Sequence, residues 1–166
     1  YVLMTGSSQP SNWGSYADVQ LPVTASDSSC LYWSGSSLMF FYDLLRAEWT
    51  NQSGNRKWDT SSVNWKDDGV NIPYKNHAAV TFNSTGAGTV NLTGTLTPYS
   101  VTVNNGSGYN YTWQGSGKLS GAMKLYKKGA GTLTIKNTNT FTGGTEITGG
   151  KVVLEAANAL GTGAVT

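Results

Sequence analysis

Beyond Trp49 the chain is broken at short intervals by glycine and asparagine. The breaks are Asn104-Asn105-Gly106, Gly115 to Gly117, Gly129 to Gly131, Gly143-Gly144 and Gly149-Gly150. Such residues tolerate φ > 0 and close backbone approach, so they mark tight turns. Between the breaks, apolar residues alternate with polar ones, many of them Thr or Asn: Val80 and Phe82, Val90 and Leu92, Val101 and Val103, Met123 and Leu125, Leu133 and Ile135, Val152 and Leu154. A period of two is the pattern of a half-buried strand, and each piece is too short for a helix. The sequence therefore reads as all-β, with two candidate architectures: an antiparallel β-sandwich or a β-solenoid.

Spacing separates the two. From Gly131-Thr-Leu-Thr-Ile135 to Gly150-Lys-Val-Val-Leu154 the apolar pattern returns after 19 residues, close to one coil of a solenoid. Thr145-Glu-Ile147 falls between them as a second side of the same coil. Stacked coils bury Leu, Ile and Val over one another, while Thr and Asn form ladders or face water. The return favours the solenoid, and the sandwich stays as the alternative.

Residues 1–47 read differently. Ser, Asp and Asn clusters surround short apolar pieces such as Val19 to Val23 and Leu31 to Trp33, so this part is expected to be an irregular region or connecting arm ahead of a β-rich body over 48–166. Leu38, Phe41, Tyr42, Leu45 and Trp49 carry helical spacing, yet Phe40, Phe41 and Tyr42 favour a strand, and the segment is open between the two.

Composition narrows the function classes. Charged residues are only 12% of 166, and the net charge of +2 is too small and dispersed for a nucleic-acid binder. Six Trp and nine Tyr argue against disorder. Cys30 is the only cysteine and His77 the only histidine, which excludes an internal disulfide framework and a Cys/His zinc site; Cys30 reads as a small buried hydrophobe. No apolar run approaches the ~20 residues of a membrane helix. The chain opens at Tyr1 without a charged leader and apolar stretch, so a signal peptide is expected to be absent or removed.

The segment from Gly129-Ala-Gly-Thr-Leu-Thr-Ile135 through Asn137-Thr-Asn-Thr-Phe-Thr-Gly-Gly144 to Gly150-Lys-Val-Val-Leu154, with Ala159-Leu-Gly-Thr-Gly-Ala-Val165 after it, resembles the autotransporter-associated β-strand repeat, or passenger-associated transport repeat. Upstream, Trp58-Asp-Thr-Ser-Ser-Val-Asn-Trp65, Pro98-Tyr-Ser-Val-Thr-Val-Asn-Asn105 and Gly115-Ser-Gly-Lys-Leu-Ser-Gly121 are similar to sequence that often precedes that repeat in large bacterial surface proteins. The resemblance spans about residues 48–166. It implies a right-handed parallel β-helix in an exported, cell-surface or extracellular protein, with the repeat assisting passage and folding at the outer membrane. One clear copy is present where the family usually has arrays, and no translocating barrel occurs in this chain.

No constellation points to a reaction. His77 with Ser84 and Asp67 or Asp68 lacks a nucleophile-elbow context, and a turn histidine beside Asn76 is the plainer reading. Asp67-Asp68-Gly69 with Asp59 lacks calcium-loop spacing and reads as a turn. Glu48, Glu146 and Glu155 offer no favoured glycosidase pair. No cofactor or metal is expected. Lys124, Lys127 and Lys128 are expected to keep a sheet edge soluble. The tryptophans admit two roles: Trp33, Trp49, Trp58, Trp65 and Trp113 are candidate ligand contacts for glycans, while their structural role is core, with Trp58 and Trp65 plugging a coil end and Trp113 sharing a strand face with Tyr109 and Tyr111. The expectation is a non-catalytic β rod that self-associates, forms filaments or joins neighbouring modules of a surface protein. The alternative is a carbohydrate-binding or adhesin module.

Overall fold

In the computed structural model, described over residues 30–34, 37–41 and 44–166, the chain divides into two compact units at Leu44/Leu45. In the first, β1 (Cys30–Ser34) pairs antiparallel with β2 (Ser37–Phe41), with Cys30 opposite Phe41. The aromatic, strand-favouring content of this stretch thus prevails over its helical spacing. Residues 1–29, including the Val19 to Val23 piece, lie outside the described residues.

The second unit is built from parallel ladders. One runs through β3 (Arg46–Trp49), β7 (Ala79–Phe82), β10 (Ser100–Val103), β13 (Lys124–Lys127) and β15 (Thr145–Ile147). A second runs through β4 (Lys57–Trp58), β8 (Gly88–Leu92), β11 (Tyr111–Gln114), β14 (Thr132–Ile135) and β16 (Lys151–Leu154). A third, short side pairs β9 (Thr95–Leu96) with β12 (Lys118–Leu119). Strands adjacent in sequence therefore lie in different sheets, and each strand pairs with its counterpart one coil later. That is a β-solenoid rather than a sandwich.

The alternation seen in sequence becomes vertical stacking. Val80, Val101 and Leu125 form one inward column, Val90, Trp113 and Ile135 another, and Leu96 lies beside Leu119. All are buried, and burial of such side chains stabilises by roughly 1.5–3 kcal/mol each. A single coil has almost nothing inside it, so this stabilisation exists only between coils.

Three complete coils carry register partners 19 to 24 residues apart, from Thr132 opposite Lys151 to Ser100 opposite Lys124. The first step is longer: Arg46 lies opposite Ala79 and Lys57 opposite Asn91. The extra chain forms β5 (Trp65–Asp67) and β6 (Val70–Ile72), an antiparallel hairpin that returns onto the free edge of β3. Its two-residue turn, Asp68-Gly69, has φ of 43° and 85°, the conformation that suits the twist of a tight hairpin.

Candidate functional site

The first coils, from β3 to β11, are filled by rings. Trp49, Trp58, Trp65, Tyr74, Phe82, Tyr111 and Trp113 are fully buried. Trp65 is brought in by β5, 5.1 Å from Trp49 and 5.2 Å from Trp58 between ring centroids, both edge-on. Trp58 in turn meets Trp113 at 5.8 Å and Tyr74 at 5.6 Å, again edge-on. Edge-to-face contact is a favoured arrangement of aromatic quadrupoles. The Trp49 indole donates to Gly86 O at 3.0 Å, and Tyr111 OH donates to the carbonyls of Asn83 and Thr85 at 2.8 and 2.6 Å. Burial pushes the Tyr74 and Tyr111 phenols well above their usual range, with Glu48 adding to the effect on Tyr111.

This places the candidate ligand contacts. Trp49, Trp58, Trp65 and Trp113 have no solvent-facing surface, so none offers a ring on which a sugar could stack in this fold; Trp49, Trp58 and Trp65 close the end of the column, and Trp113 lies within it between Val90 and Ile135. Trp33 lies in β1, where only the backbone pairing is described. Tyr109, expected on the strand face of Tyr111 and Trp113, sits instead in the turn before β11 and is 53% exposed. Gly108, with φ of 84°, turns the chain just ahead of it.

Polar side chains hold the corners between sheets, where ladder pairing stops and backbone groups lose their partners. Arg56 donates to Ala87 O and Thr89 O, tying the first coil to the second. Asn105 donates to Tyr109 O at 2.6 Å and Thr132 O at 3.2 Å. Asn137 reaches Gly115 O and Gly117 O, both at 2.9 Å. Asn139 accepts from Leu119 N and donates to Ala159 O, at 2.8 and 2.7 Å, so one amide joins three layers.

Of the three lysines expected to solvate a sheet edge, one is misplaced by that reading. β13 is internal to its sheet, between β10 and β15. Lys127 is fully buried, with Nζ directed at the carbonyls of Gly129 and Gly149, and burial lowers its pKa. Lys124 does reach the surface, where it pairs with Glu146 at 2.8 Å and lies 5.0 Å from the centre of the Tyr126 ring. Lys128 approaches the same ring at 5.6 Å.

The residues considered for chemistry stay apart. His77 is an exposed turn residue with φ of 68° at one end of β7, and Ser84 lies past the other end, accepting from Gly106 N. An extended strand separates them. Asp59 is occupied by Ser61 and Ser62, whose backbone and side-chain donors outweigh partial burial and lower its pKa. Among the described residues no group of three or more His, Cys, Asp or Glu could hold a metal ion.

These features define a capped β-solenoid whose coils are pinned by buried amides and one buried ammonium. Residues 125–154, from within β13 to the end of β16, match the family model described as the passenger-associated-transport-repeat. The match covers one coil with its step onto the next. That repeat belongs to passenger segments of autotransporter-type surface proteins, and the solenoid fits a structural segment of that kind. Neither a curated protein nor a solved structure matches the chain. No helix among the described residues is long and apolar enough to cross a membrane.

Proposed function

We propose that the chain is a non-catalytic structural segment of an exported passenger protein, placed at the cell surface or outside the cell, where its stacked coils form a stiff column that carries or spaces other modules. The observation that carries this reading is the coincidence of the repeat match with a coil that stacks strand for strand on the one before it. Stiffness follows from the ladder, because each coil is hydrogen-bonded and packed to its neighbours along two sheets. Self-association into filaments is the finer form of the proposal. The connecting arm expected over residues 1–47 is here drawn back to 1–44, because Arg46 and Ala47 belong to β3 of the solenoid; the β1–β2 pair lies inside it, and a two-stranded hairpin alone is marginally stable and gains by pairing with another surface.

Negative-stain microscopy and light scattering of the purified full chain test both levels. Elongated particles that associate with rising concentration are expected. A strictly monomeric globule at high concentration overturns the filament. Turnover of a substrate, abolished by changing one side chain, overturns the structural role.

A glycan or adhesin contact is the second reading. It is favoured by Tyr99 and Tyr109, whose side chains are 64% and 53% exposed. Binding on a glycan array that is lost in Tyr99→Ala and Tyr109→Ala supports it, and silence across the array removes it.

A further inference from the structure

The register position held by Lys127 is apolar in the coils on either side, buried at Phe82 and Val103 and 36% exposed at Ile147. Phe82 lies in register with Val103, Val103 with Lys127, and Lys127 with Ile147. Lysine is the costliest of these four to place there. Its side chain is fully buried, and among the described residues the ion pairs are Lys124–Glu146 and Lys136–Glu155, neither of which includes it. Taking an unpaired ammonium out of water costs several kcal/mol in general, and an apolar side chain of similar volume is often as stable or more so.

What the ammonium gains is a pair of carbonyls from two successive corners. Its Nζ donates to Gly129 O in its own coil and to Gly149 O, at 3.3 Å, in the coil that follows. The second corner comes this close because it is a glycine doublet. A Cβ on Gly149 would overlap Lys128 O, and one on Gly150 would lie 2.6 Å from Lys127 Nζ. The apolar columns around it do not choose one register by themselves. Because side chains alternate with a period of two, sliding a strand by two residues keeps the same face inward. Only the observed register brings Gly149 O over the ammonium.

We infer that Lys127 is a register pin: it fixes how the coil from Thr145 to Leu154 stacks on the one beneath, and it does so at a cost in stability. Buried polar groups that set register at such a cost are established in coiled coils. The inference rests on the solenoid and deepens the structural reading, since a column of defined length and face needs one register per coil.

The test uses the full chain with Cys30→Ser, so that disulfide closure reports on two engineered cysteines alone. Thr134 and Val153 are register partners; Thr134 and Lys151 would be partners only after a two-residue slip. Adjacent Cα atoms across a strand pair suit a disulfide, while a two-residue offset exceeds its reach. With Lys127 present, Thr134→Cys/Val153→Cys is expected to close and Thr134→Cys/Lys151→Cys to close about 10- to 100-fold less, the factor a charge-assisted hydrogen bond is worth. With Lys127→Met the chain is expected to stay folded, with an equal or higher melting temperature, while the two pairs close comparably. Lys127→Gln, which keeps a donor without the charge, is expected to restore the preference for the first pair. A folded Lys127→Met chain that closes only the first pair overturns the inference. So does a Lys127→Met chain that melts lower or fails to fold, because the lysine would then serve stability. Neither result bears on whether the column is a passenger segment, which microscopy tests separately.

Discussion

Trp49 and Trp65 face each other across the antiparallel register that closes the first edge of the parallel ladder, with their rings 5.1 Å apart at an angle of 76°. One belongs to the first coil and the other to the inserted hairpin, so a single pair joins strand capping to core filling. An open edge of this sort presents unpaired N–H and C=O groups to any passing strand. Here β5 occupies the edge of β3, and β6 becomes the terminal strand of that sheet.

Trp65→Ala should therefore do two things. Removing a fully buried indole from a packed aromatic cluster costs about 3–5 kcal/mol. Loss of its packing should also loosen β5 and expose β3, so association should rise with concentration. Urea denaturation reads the first effect and light scattering the second. Val63→Ala, on a side chain 40% exposed, is the control and should change neither.

The glycines divide into two kinds that substitution separates. At Gly143 a Cβ would overlap the carbonyl oxygens of Ala122 and Met123, backbone atoms that cannot swing aside. At Gly54 the space is open and only the φ of 73° resists a side chain. Gly54→Ala should cost about 1 kcal/mol, the usual penalty of a left-handed alanine. Gly143→Ala should cost several times more, because the coils themselves must part. Melting temperatures of the two variants give the comparison directly.

The strands were legible because alternation survives through β14; in β16 it fades, with Val152 and Val153 both half-buried and Leu154, expected inward with Val152, exposed. Val80 and Phe82, Val101 and Val103, and Leu133 and Ile135 are inward pairs in the structure as in the sequence pattern. Register was less legible, because corners of different length move the repeat between 19 and 24 residues and the β5–β6 insertion lengthens the first step. The candidate site was the least legible part. Lys127 looks like a solvating lysine until its spacing of two from Leu125 is followed inward, and that spacing was the available signal. Asn137 and Asn139 carried the same signal: buried positions continue in steps of two from Gly131 through Leu133 and Ile135 to Phe141, and both amides fall on them. Composition assigns Asn and Lys to the surface by habit; in a solenoid, corner carbonyls draw them in.

Alkaline pH should unfold the second unit through its phenols. Burial raises the folded-state pKa of Tyr74 and Tyr111 above the value near 10 that holds in an unfolded chain. Above that value the unfolded state sheds protons that the folded state keeps, so stability falls as pH rises. Lys127 acts in the opposite direction, since its lowered folded-state pKa means that stability is gained on approaching and passing its ordinary value of 10.5. Two phenols against one amine should leave a net decline above about pH 10. Urea midpoints at pH 7, 9 and 10.5 check it, and Lys127→Met should steepen the decline. A midpoint unchanged from pH 9 to 10.5 in both chains would contradict it.

Asn139 offers the sharpest test of the corner amides, because its side chain satisfies two backbone groups in two other layers. Its Oδ1 accepts from Leu119 N at 2.8 Å and its Nδ2 donates to Ala159 O at 2.7 Å. Asn139→Ala would leave a buried N–H and a buried C=O without partners, each costing about 1–3 kcal/mol. Asn139→Asp keeps the acceptor for Leu119 but loses the donor to Ala159 and buries a charge, so at neutral pH it should be no better than alanine. Acid distinguishes the two variants: protonation gives the aspartic acid a donor again, so its deficit relative to Asn139 should shrink between pH 7 and pH 4 while that of alanine stays constant. Hydrogen exchange at Leu119 adds a local reading. Its amide should be protected in the parent chain and exchange faster in Asn139→Ala, and equal protection in both would show that the amide does not hold that layer.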